Sequence, residues 1–122
     1  MKGLITFLII LNSAFLIGQE AEFSFDKKVF KSKPIHEGEI LEHTFSFNNT
    51  GEVPLIISGY EVECTCTLVE HPTLPILPGE SGEIKIQFNS EGKIGWQYRK
   101  IILLANTKKQ QETIEFRVKV LN

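Results

Sequence analysis

The sequence predicts an all-β domain, a sandwich of about seven antiparallel strands. After residue 18, apolar and polar side chains alternate with a period of two. Clusters of Gly, Pro and Asn separate the alternating runs at short intervals, and no window carries an amphipathic helical stripe. A strand turns successive side chains to opposite faces, so an alternating run has one buried and one wet face. Several such runs in about 100 residues, divided by turn chemistry, are the pattern of antiparallel sheets packed on one side.

The first element is Glu22–Phe25 with Val29–Phe30. Lys27, Lys28, Lys31 and Lys33 cluster around it. Lysine on an edge strand discourages pairing with another sheet, so this element is expected at an edge. The second, Ile40–Asn48, alternates Leu41, His43, Phe45 and Phe47 with Glu42, Thr44, Ser46 and Asn48. Asn48-Asn49-Thr50-Gly51 then supplies a turn.

Leu55–Glu63 is the third element and Cys66–Glu70 the fourth. Leu55 and Ile57 share one parity, whereas Val62, Cys64 and Cys66 fall on the other. A straight strand cannot turn both sets toward one core. Gly59 lies between them, and an isolated glycine in a strand marks a bulge, so a bulge or bend is expected there. The alternative is a strand that changes sheets at that point. Pro78-Gly79-Glu80-Ser81-Gly82 opens the next strand, Gly82–Asn89, with Ile84, Ile86 and Phe88 on one face. Gln97–Leu104 and Glu112–Leu121 complete the set, joined by the polar segment Asn106 to Gln111.

The 122 residues begin with a different pattern. Lys2 precedes an apolar run from Gly3 to Ile17, broken only by Thr6, Asn12 and Ser13. Such a run followed by a small residue is the pattern of an export signal. It is short for a spanning helix, which needs about 20 apolar residues. The chain is therefore read as a signal peptide over 1–18 and a domain over 19–122. Cleavage is expected after Gly18, with Ala21 as the second choice and an uncleaved anchor as the alternative. No stable membrane span is expected after cleavage, and the location expected is periplasmic or secreted.

Removal of Lys2 leaves twelve basic residues against fifteen acidic ones, a balance of −3. That excludes the electrostatic footprint of a nucleic-acid binder and does not suit an anionic membrane surface. The remaining length excludes a multidomain enzyme, and the 42% hydrophobic content excludes a disordered tail.

Cys64 and Cys66 are the only cysteines and the candidate metal ligands. On an extended strand both side chains point the same way, with Cα atoms about 6.5 Å apart, near the upper limit for a disulfide. Closure needs a local kink, which β-branched Thr65 resists. The ring closed would be very small, so a disulfide here removes little chain entropy and is not a strong staple. Four uses stand open. The pair is structural, buried or oxidised; or it holds a soft metal ion such as Cu(I), helped by His36, His43 or His71; or it is a redox-active dithiol; or it attaches to a partner's thiol. Zinc spacing is absent, and no Cys-x-x-Cys or helix N-terminus lowers a thiol pKa.

His43 falls on the apolar parity beside Phe45 and is expected partly buried with one hydrogen bond. His36 and His71 are expected in exposed turns. Tyr60, Trp96 and Tyr98 are expected in core packing, the alternative being an exposed aromatic patch for a partner or a glycan. Glu61 and Glu63 share a parity, as carboxylates on a wet face commonly do. No catalytic triad order, nucleophile elbow or phosphate loop appears. An enzyme is not expected, and no cofactor is called for.

Four motifs in order carry a resemblance: Phe45-Ser46-Phe47-Asn48-Asn49-Thr50-Gly51, Pro54-Leu55-Ile56-Ile57, Cys64-Thr65-Cys66-Thr67, and Leu77-Pro78-Gly79-Glu80-Ser81-Gly82. Over roughly Phe23 to Val120 the chain resembles the bacterial exported domain of unknown function numbered 1573. The build is also similar to Hydin-like and major-sperm-protein-like sandwiches. The resemblance implies an immunoglobulin-like β-sandwich and export, and no established activity. This chain departs from the family in having Thr65 where glycine usually separates the cysteines. The function expected is a non-catalytic exported binding or structural module of the bacterial cell envelope, contacting an unknown protein or envelope component through edge strands or end loops. The alternative is a small periplasmic soft-metal or thiol-redox protein built on Cys64 and Cys66.

Overall fold

Side-chain alternation sorts the chain into two layers. In the computed structural model, which describes residues 19–122, nine strands form: β1 (Phe23–Phe25), β2 (Val29–Lys31), β3 (Ile35–His36), β4 (Ile40–Asn49), β5 (Ile57–Val62), β6 (Thr67–Glu70), β7 (Ser81–Asn89), β8 (Gly95–Ala105) and β9 (Gln111–Leu121). One sheet has the order β1-β4-β7-β6, and the other β2-β9-β8-β5 with β3 also on β9. The expected export segment, residues 1–18, lies outside the described residues. Among the described residues no helix is long and apolar enough to cross a membrane.

The alternating apolar set of each strand is buried. Phe45 and Phe47 of β4, Ile84, Ile86 and Phe88 of β7, Ile101 and Leu103 of β8, and Ile114, Phe116, Val118 and Val120 of β9 all lie in one core. Burying each such side chain contributes roughly 1.5–3 kcal/mol. The all-β sandwich read from the period of two is therefore the fold.

Two features correct the seven-strand, all-antiparallel expectation. β3 is a strand of two residues, too short for any periodicity to show. β2 and β3 also run parallel to β9, pairing Phe30 with Phe116 and Ile35 with Val120. Pro34 lies between them and has no N–H to give a ladder, so one edge is built from two short pieces. The lysine cluster does fall at this edge: Lys31 ends β2, and Lys28 pairs with Glu112.

The register of β5 on β8 shifts between Ile57 and Gly59, the bulge expected at that glycine. The change of sheet comes later, between β5 and β6, at the cysteines. β5 ends the five-stranded sheet and β6 ends the four-stranded one, so consecutive strands form neighbouring edges.

One end of the sandwich is organised by Asn49, which is fully buried. Its Oδ1 accepts from the backbone N–H of Glu22 (3.2 Å) and of Gly51 (2.9 Å). Its Nδ2 donates to the carbonyls of Val53 and Ile76, each at 2.9 Å. The Pro78-Gly79-Glu80 turn docks on the same residue, since Gly79 N–H donates to the Asn49 carbonyl and Asn49 N–H donates to that of Glu80. Gly51 is required for a close approach. A Cβ there would stand 2.1 Å from the Glu20 carbonyl oxygen and 2.6 Å from Ala21 Cα. The spaced Asn-Thr-Gly and Pro-Gly-Glu motifs thus meet at one point.

Candidate functional site

The cysteines lie in a turn rather than on a strand. Thr67 N–H donates to the Cys64 carbonyl at 3.1 Å, closing a tight turn with Thr65 and Cys66 at its centre. This draws the two Cα atoms to 5.1 Å, and Cys64 and Cys66 form a disulfide. The kink that the spacing demanded is therefore present, and it sits where the chain crosses between sheets. Cys66 packs against the core and its N–H faces Cys64 Sγ at 3.1 Å.

The histidines do not converge on the sulfurs. His36, on β3, is exposed. The His71 ring is half-buried rather than exposed, near Tyr60 at 6.1 Å, and its Nδ1 is 2.9 Å from the Pro72 carbonyl. His43 is half-buried, and among the described residues its ring has no hydrogen-bond partner where one was expected. Its ring stacks on Phe30, with centroids 3.6 Å apart and planes 7° apart, and meets Phe45 edge-on at 4.7 Å. Burial holds its pKa below 6.5. Among the described residues no group of three or more His, Cys, Asp or Glu side chains is placed to hold a metal ion. With the sulfurs joined to each other and no histidine beside them, this donor set does not favour a soft metal ion.

The aromatic residues depart from the core-packing expectation. Trp96 is 57% exposed and Tyr98 55%. Both project from the outer face of β8, while Gln97, Ile101 and Leu103 turn inward. The rings are 6.1 Å apart and nearly parallel, at 18°. Tyr60, at 37% exposed, lies at the β5 edge.

Cross-strand pairing surrounds the two rings with cations. Trp96 is opposite Lys119, Tyr98 opposite Arg117, and Lys100 opposite Glu115. Lys31 of β2 is opposite Arg117 from the other side. The Arg117 guanidinium lies 5.9 Å from the Tyr98 ring centroid, and its Nε donates to Glu115 Oε2 at 2.7 Å. None of Lys31, Lys100 or Lys119 has a carboxylate within ion-pair distance among the described residues.

Sequence reasoning held this exposed patch only as its alternative, because β8 is apolar on both parities at Ile101-Ile102-Leu103-Leu104. The signal that finds it is the parity of the fully buried Ile101 and Leu103. Counting back from them puts Trp96 and Tyr98 outside.

A family model described as a protein of unknown function (DUF1573) matches residues 23–120. No curated protein matches the chain in sequence. Among solved structures, the chain is similar to a protein of unknown function from Porphyromonas gingivalis W83, at TM-score 0.72 and 16% identity. That match covers 88% of this chain and 51% of the other, so the chain spans about half the length of that relative. It is also similar to the ASH / PapD-like domain of human CEP192, at TM-score 0.59 and 10% identity, covering 100% and 97% of the two chains. The E. coli chaperone DraB gives TM-score 0.59 and 12% identity, over 82% and 55%. These likenesses establish an immunoglobulin-like, PapD-like sandwich.

Proposed function

The chain belongs to the DUF1573 family, and from that premise we propose that it is a non-catalytic, exported binding module of the bacterial cell envelope. The sandwich itself decides no function, because such folds host many. What carries the reading is the face around Trp96 and Tyr98. Two large aromatic side chains more than half exposed, with the exposed Ile94 two residues before Trp96, are the composition of a contact surface. Export is supported by the apolar run after Lys2 and the polar return at Gln19.

The full chain, expressed in a Gram-negative host, tests both parts. N-terminal sequencing of the envelope fraction is expected to begin at Gln19 or Glu22, and a start at Met1 overturns cleavage. Washed cell envelopes are expected to retain the wild-type domain and to release a Trp96→Ser/Tyr98→Ser variant of unchanged circular dichroism. Equal retention of the two overturns the role of this face.

A further inference from the structure

We propose that the outer face of the five-stranded sheet binds an acidic polysaccharide. This rests on the reading of that face as the contact surface and names the ligand class it takes.

Charge is the first argument. The chain carries a formal net charge of −2, yet Lys31, Lys100, Arg117 and Lys119 gather around the two rings, with two acids on the same face, Glu115 and, at the β5 edge opposite Ile102, Glu61. Arg117 is held by Glu115 and by the Tyr98 ring, which leaves three exposed lysines to meet an anion. A lysine is a compact point charge on a flexible stem, suited to charges spaced along a polymer rather than to one fixed carboxylate. The opposite sheet offers no equivalent. Its outer face carries Glu42, Glu70, Glu83 and Lys85, with no aromatic side chain.

The rings supply the second argument. A sugar ring presents a face of C–H groups, which packs on an aromatic π surface. The two rings, on alternate residues of one strand, are stacked and Arg117 lies over Tyr98, so Trp96 is the principal open surface and Tyr98 its support. A folded protein partner would instead call for desolvated pockets at the centre of the contact. This face is an open pleated surface with charges beside the rings. Uronate sugars combine the C–H faces and the carboxylates that the rings and lysines accept.

Trp96 is the sole tryptophan and reports directly on its own surface. The full-length protein is titrated with polygalacturonate, following the emission of Trp96. A saturable change that weakens as salt is raised is expected. Lys100→Gln/Lys119→Gln keeps both rings and is expected to bind roughly thirtyfold more weakly, about one and a half decades for two lysines facing an anionic surface. Tyr98→Ala is expected to weaken binding while leaving the Trp96 reporter in place. No response to polygalacturonate, an equal response to neutral dextran, or unchanged affinity in the lysine variant overturns the proposal. Equally tight binding of polyglutamate overturns the sugar assignment while leaving the contact face standing. Envelope retention is read separately, so its failure is distinguishable from failure here.

Discussion

The two ends of the sandwich satisfy their polar groups in different ways. At the Asn49 end, one buried amide makes four hydrogen bonds to backbone groups from three separate segments. Asn106 adds two more, accepting from Ile56 N–H at 2.8 Å and donating to the Pro54 carbonyl at 3.0 Å. At the other end Ser90, also fully buried, accepts from Gly38 N–H and donates to the Glu39 carbonyl, but beside it lie the Cys64–Cys66 turn, the start of β8 with its exposed rings, and two buried polar atoms without a hydrogen-bond partner among the described residues, Thr67 Oγ1 and Arg99 Nε. Both belong to residues flanking Phe88: Thr67 pairs with it across β6 and β7, and the Arg99 guanidinium lies 5.6 Å from its ring. Departures from full satisfaction concentrate where a protein does its work, because folding alone would select against them. What sets the ends apart is the pair of unpartnered atoms and the exposed rings, both at the end that carries the proposed contact face.

The sharpest way to break that contrast is Asn49→Ala. It strands two donors and two acceptors, of which the Ile76 carbonyl is buried and the other three are part-buried, so water recovers a share of the about 1–3 kcal/mol that each costs when left unmade. The expected loss is about 3–4 kcal/mol, a large share of a small domain's total stability, read from urea unfolding with the m-value as a control. A loss below about 1 kcal/mol would show that the loops at this end hold themselves.

At the opposite end the expected effect is smaller. Cys64→Ser/Cys66→Ser opens a ring of three residues, and chain-entropy arithmetic for so short a loop gives about 1.5 kcal/mol. The same unfolding assay under non-reducing conditions checks it. A loss matching that of Asn49→Ala would make the disulfide turn a second anchor and remove the asymmetry.

How much of this was legible depends on whether the physics was local. The strands were readable because burial acts on alternate residues, as Ile84, Ile86 and Phe88 show. The bulge at Gly59 was readable because a change of parity has few geometric solutions. The need for a kink at Cys64-Thr65-Cys66 followed from the reach of the backbone. Asn49 was readable only as a turn residue. Two of its four bonds go to Glu22 and Ile76, each 27 residues away, and no spacing rule encodes them. β3 escaped because two residues have no period, and its pairing with β9 is decided by the far end of the chain. Trp96 and Tyr98 were placed in the core first and on an exposed patch second, because the apolar run after them fits both faces equally well.

His43, midway along β4, separates the body of the sandwich from either end. Its ring lies against Phe30 and Phe45, and burial lowers its pKa from 6.5. The unfolded chain therefore takes up the proton first as pH falls. Stability is level above about pH 6.5 and is lost below it until the folded-state pKa is reached, with a slope of at most about 1.4 kcal/mol per pH unit for one group. His43→Phe keeps an aromatic ring against Phe30 and removes the titration. Unfolding free energies compared between about pH 7.5 and 5.5 are expected to fall more steeply for wild type than for the variant. Parallel curves would show that the stacked ring takes its proton as readily in the fold as in the unfolded chain.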